Sequence, residues 1–124
     1  MEISLYEAIG EEGFNEVTKA FYSQVPDDEI LGPMYPPGQL EDARVRLRDF
    51  LVGRFGGPPR YILRRGHPRL RMRHMPFPID RRARDRWVEL MATAVEQSGI
   101  PAGAAEQLMR FCENAATFLI NRQA

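Results

Sequence analysis

Proline and glycine occur in tight groups along the chain: Gly32-Pro33, Pro36-Pro37-Gly38, Gly56-Gly57-Pro58-Pro59, Met75-Pro76-Phe77-Pro78 and Gly99-Ile100-Pro101. Proline has no amide hydrogen and a fixed φ, so a helix cannot run through such a group. The chain is therefore divided into short pieces before any other preference acts. Between the breaks the apolar residues recur every three or four positions, the mark of one helical face. Phe14, Val17, Phe21 and Val25 form the first such face, ended by Pro26. Asp27 to Leu31 adds a short turn. Leu40, Ala43, Leu47, Phe50, Leu51 and Phe55 form the second face. Ala83, Trp87, Leu90, Met91, Ala94 and Val95 form the third, with Asp80 as its N-cap. Ala104, Leu108, Phe111, Cys112, Ala115, Phe118 and Leu119 form the last. Pro68 suits the first turn of a brief helix through Leu70 to about His74. No segment alternates with period two for long enough to be a strand. The expectation is an all-α domain over residues 1–124, with four main helices and shorter ones between.

The chain is long enough, at 124 residues, for one real core. No apolar run approaches the roughly 20 residues of a membrane span. The acidic start, MEISLYEAIGEE, lacks a signal-peptide pattern, and a cytoplasmic location is expected. Cys112 is alone, so a disulfide framework and a cysteine metal cage are excluded. It reads as a small buried hydrophobe. With only His67 and His74, a multi-histidine zinc site would need carboxylate help.

Net charge is zero but unevenly placed. Residues 44 to 86 hold fourteen arginines against three acids, a net of +11, and the remainder carries −11. Such a middle attracts anions: nucleic acid, phosphate or a ligand's carboxylates. For most of these arginines a solvated surface balanced by nearby acidic helices is the simpler account. The region from Gly56 to Asp80 has too little apolar surface to pack tightly by itself, which leaves room for something that completes the core. A planar, apolar, dianionic cofactor matches the residue types present, and haem is one. Its iron takes imidazole, its ring takes Leu, Phe and Met, and its propionates take Arg. The competing account is a cofactor-free helical interaction domain with a basic patch.

The run Arg65-Gly66-His67-Pro68-Arg69-Leu70-Arg71-Met72-Arg73-His74, followed by Pro76-Phe77, resembles the proximal segment of group II truncated haemoglobins. Phe21-Tyr22, Met34-Tyr35-Pro36, Arg46-Leu47, Gly56-Gly57-Pro58 and Asp85-Arg86-Trp87 fall in that family's order and spacing, so the resemblance covers about residues 4 to 121. It implies a truncated globin, a two-over-two α-helical sandwich around haem b (iron protoporphyrin IX), with residues 58 to 67 as a largely irregular stretch. By resemblance, His74 is the iron ligand, and His67, ahead of a proline, is a helix-start or surface residue. Tyr22, Tyr35 and Trp87 are distal hydrogen-bonding groups. Ala43 and Leu47 face the iron from the distal helix. Arg46 pairs with a propionate, and Arg73 is a second candidate. Phe50, Leu51, Leu70, Phe77 and Ile79 are walls. Phe55 stands where many relatives carry tryptophan.

The implied activity is tight binding of oxygen or another diatomic ligand at a five-coordinate, histidine-ligated iron. Two hydroxyls and an indole N–H would slow ligand release, which argues against easy oxygen delivery. They favour a tight binder, or a protein that reacts its oxygen, for instance with nitric oxide in a dioxygenase-like cycle fed by a reductase. A peroxide-consuming protein is the alternative, although no distal histidine is available for acid–base work. Nucleic-acid and membrane partners are not expected, and the chain is read as a monomer or homodimer.

Overall fold

The computed structural model describes residues 3–123. It is all-helical, with the elements α1 (Leu5–Gln24), a 3₁₀ turn (Gly32–Met34), α2 (Leu40–Arg54), α3 (Arg60–Arg65), α4 (Leu70–His74), α5 (Arg81–Ser98) and α6 (Ala102–Phe118). Two helix pairs, α1 with α2 and α5 with α6, are joined face to face by α1 packing on α5. This is the two-over-two sandwich.

The helix ends follow local chemistry. The Ser4 hydroxyl accepts from the Glu7 amide and starts α1, which continues past a break at Gly10, whose φ of 79° lies in the left-handed region. The Asp80 carboxylate accepts from the Ala83 amide at 2.8 Å and caps α5, as its place ahead of the apolar stripe predicts. The Asp28 carboxylate accepts from the amides of Ile30 and Leu31 and organises the turn after α1. At the close of α2, Gly57 donates its amide to the Val52 carbonyl at 2.8 Å. A Cβ there would stand 2.5 Å from a Val52 methyl and 2.6 Å from the Tyr6 ring, so only glycine permits this approach.

Phe14, Val17, Phe21 and Val25 are fully buried, together with Leu51, Val52, Met91 and Leu108 from the other main helices. Burying each such side chain contributes about 1.5–3 kcal/mol.

Three expectations are corrected. Residues 58 to 67 are not irregular: they contain α3. Tyr61 is buried with its ring 5.7 Å from Phe50, and Arg60 and Arg64 reach Asp49, so long-range partners hold a segment that local sequence does not. Pro68 lies ahead of α4 rather than in its first turn, because Arg69 takes a left-handed φ of 44° and α4 begins at Leu70. Phe118 is not on the buried face of α6; it closes that helix and is 57% exposed, with the Arg71 guanidinium 5.7 Å from its ring centre.

Candidate functional site

His74 is the last residue of α4, and its Nδ1 lies 2.7 Å from the Leu70 carbonyl oxygen. A carbonyl can only accept, so Nδ1 carries a proton, and the neutral ring in this arrangement has its lone pair on Nε2. The backbone beyond is pinned by Asn121. Its Nδ2 donates to the carbonyls of His74 (3.1 Å) and Phe77 (3.0 Å), and its Oδ1 accepts from the Ile79 amide (2.9 Å). The Asn121 amide donates in turn to the Ile79 carbonyl at 2.9 Å. One side chain thus fixes the kinked Met75–Pro78 connection to the end of α6. His67 is exposed and its Nδ1 accepts from the Arg69 amide.

Across the interior, Phe21, Tyr22, Tyr35 and Trp87 form one aromatic group. Phe21 meets Tyr22 edge-on at 4.9 Å and Trp87 at 5.2 Å, and Tyr22 meets Tyr35 edge-on at 5.6 Å. Burial pushes the Tyr22 phenol well above its usual value, the neighbouring Tyr35 adds to this, and Arg46 opposes it. Burial also raises Tyr35, against the opposing influence of Tyr22, Arg46 and Trp87. Both phenols therefore stay protonated at neutral pH.

Between His74 and this group is a cavity of about 550 Å³. Every residue expected at the haem site lines it: Tyr22, Tyr35, Ala43, Arg46, Leu47, Phe50, Leu51, Leu70, Arg73, His74, Phe77, Ile79 and Trp87. Arg46, Arg65, Arg73 and Arg84 border it as cations. Arg84 binds Asp85, and Arg73 donates to the Arg65 carbonyl at 3.0 Å. Arg46 has no carboxylate within 4.0 Å among the described residues.

Residues 4–121 match the model of the family described as "Bacterial-like globin". The chain belongs to the group II truncated haemoglobins of that family. It is 38% identical over 117 residues to Group 2 truncated hemoglobin YjbI of Bacillus subtilis, covering 94% of this chain and 88% of that one. Among solved structures, the hemoglobin of the thermophilic phototroph Chloroflexus aurantiacus superposes with a TM-score of 0.93 at 42% identity, covering 98% of this chain and 100% of that one. The truncated oxygen-avid haemoglobin of Bacillus subtilis gives 0.91 at 34% identity, covering 96% and 100%.

Membership implies haem binding, and the interior of this globin suits haem. One imidazole has a free Nε2, the walls are largely apolar, and an arginine without a protein carboxylate stands at the rim. The sequence reading missed part of the lining. Tyr61 and Arg65 come from α3, Phe111, Cys112, Ala115 and Ala116 come from α6, and Leu119 follows directly after it. The four-residue spacing of Phe111, Ala115 and Leu119 was the available signal for a second wall. Burial pushes the Cys112 thiol up to about 12, so it stays neutral and acts as apolar lining.

Proposed function

We propose that this globin binds haem b with His74 as the sole protein ligand to iron, and holds oxygen or another diatomic ligand tightly on the opposite side. The observation that carries this reading is the shared cavity: His74 lines it from α4, Tyr22, Tyr35 and Trp87 line it from the other elements, and His67 does not line it. Bound haem supplies an iron with one open position for a diatomic ligand.

The protein's residues do the rest. Leu70 holds the Nδ1 proton and so presents the Nε2 lone pair, which is how an outer hydrogen bond orients a ligating imidazole. Arg46 offers a two-pronged donor to a propionate. Ala43 has no donor and Leu47 is apolar, so polar contact with the ligand falls to two hydroxyls and one indole N–H. The raised Tyr22 and Tyr35 phenols act as donors rather than bases, which favours ligand retention over peroxide cleavage. The solved relative described as oxygen-avid supports the same emphasis. If held oxygen reacted with nitric oxide, the bound haem would need an electron donor to bind oxygen again. With one cysteine, the chain has no thiol pair for a covalent haem link, in keeping with haem b and with a cytoplasmic setting.

The purified protein is expected to be red-brown with a Soret band. His74→Ala should abolish stable haem uptake, whereas His67→Ala should keep the band. The reverse pattern would remove His74 as the ligand, and a colourless wild type would remove the haem reading.

A further inference from the structure

Of seven large apolar side chains exposed on the described residues, six fall on neighbouring segments: Ile62, Leu63, Met72, Met75, Phe77 and Phe118. They belong to α3, α4, the connection after it and the end of α6. These segments touch one another. Arg73 donates to the Arg65 carbonyl at 3.0 Å, and Arg71 donates to the Phe118 carbonyl at 2.6 Å. The patch is framed by Arg65, Arg69, Arg71 and Arg73, none of which has a carboxylate within 4.0 Å among the described residues. Elsewhere in the same basic stretch most arginines meet a carboxylate, as Arg48, Arg60 and Arg64 share Asp49 and Arg86 meets Asp28, while Arg46, Arg54 and Arg82 have none within 4.0 Å among the described residues. Four of the seven arginines of this stretch that lack a carboxylate therefore stand around exposed Leu, Met and Phe. Arg65, Arg73 and Phe77 also border the large cavity, so the patch adjoins the site's rim.

We propose that this arginine-framed apolar surface on α3 and α4 is the docking site of an acidic one-electron donor protein of the iron–sulfur class. The proposal rests on the haem reading above. One electron would leave the reduced cluster, which is oxidised, and convert ferric haem to ferrous; no bond forms or breaks and no proton moves. An apolar centre inside a charged rim is the anatomy of a protein interface, and rim charges steer and orient an opposite-charged partner. A duplex would present phosphates to the cations and leave Leu63 and Met72 unmatched. A two-fold dimer through this face would set each arginine against copies of the same group, which is repulsive.

The test uses the holoprotein and a plant-type ferredoxin as probe, a strongly reducing iron–sulfur protein. Calorimetry with oxidised ferredoxin reads docking without electron transfer, and stopped flow with reduced ferredoxin reads ferric-to-ferrous conversion. Raising salt from about 20 to about 200 mM should weaken docking by about tenfold or more, because it shortens the screening length. Arg69→Glu/Arg71→Glu should lower affinity and reduction rate by a similar factor. So should Leu63→Glu, whose side chain is 79% exposed and whose replacement leaves the core untouched. The Soret band and reduction by dithionite should stay as in wild type. Arg110→Glu, on the exposed face of α6, should change docking less than about twofold. Docking indifferent to salt and to both patch variants overturns the proposal. So does tighter binding of duplex DNA that the same variants abolish, or a wild-type dimer that Leu63→Glu dissociates. A colourless protein overturns the haem reading, and calorimetry still decides the surface.

Discussion

Tyr22 stands about 100° around α1 from the buried Phe21, off the stripe that periodicity picks out. Its contribution comes from what faces it: Tyr35 edge-on at 5.6 Å and, beyond, Trp87 against Phe21. Helical spacing alone puts Trp87 on an apolar face and does not pick out Tyr22 or Tyr35; only the family resemblance joins the three. Phe118 shows the opposite outcome, since extending the spacing to the last turn of α6 predicts a buried ring that the helix end instead leaves outside. A donor to a charged ligand atom is worth about 1–3 kcal/mol, so two such bonds slow release roughly 30-fold or more. Trp87→Phe and Tyr22→Phe should each raise the oxygen dissociation rate modestly, because the remaining donors substitute for one another. The double variant should exceed the product of the two single effects. Stopped-flow release from the ferrous form checks this, and wild-type rates in all three variants would exclude the network.

At the scale of elements, the main helices were readable because each start and stop is written locally, as Asp80 and Gly99 are for α5. Helix α3 was not readable, because six residues cannot sustain a helix by propensity. Its anchors lie 11 to 49 residues away in sequence: Tyr61 on Phe50, Arg64 and Arg60 on Asp49, and Arg60 on Glu11. Asp49 is buried among three arginines, of which Arg64 is 62% exposed and contributes little. Asp49→Asn should therefore destabilise the protein by about 1–3 kcal/mol in urea unfolding. Because α3 supplies Tyr61 and Arg65 to the cavity, haem loss should accelerate in the same variant. Unchanged stability and unchanged haem loss would show that Tyr61 and the Arg60–Glu11 pair hold α3 without Asp49.

Across the whole molecule, the uneven charge of the sequence resolves partly into ties between distant elements, such as Arg86 on α5 with Asp28 after α1. Burial acts to raise the Asp28 carboxyl, but the Leu31 amide, the Arg86 guanidinium and the Ile30 amide outweigh it and hold the group below its usual value. A carboxyl depressed in the folded state adds stability above its unfolded value, near 3.8, and that stability is lost as pH falls through the lower folded value. Asp28→Asn should accordingly lower the urea midpoint at pH 7 and converge on wild type as the pH falls through the lowered value of the folded carboxyl. A variant that keeps its deficit at low pH would assign the effect to lost geometry rather than to charge. The large cavity, by contrast, was legible only as a shortage of apolar residues between Gly56 and Asp80, since no local pattern reports empty space. The Asn121 clamp has a consequence for how the protein is made. His74 and Asn121 are 47 residues apart, so at ordinary translation speeds the clamp residue is added about 2–9 s after the histidine. A nascent chain that has completed α4 and α5 carries the imidazole on a segment without its tether, and the segment is fixed only once α6 has been synthesised and docked.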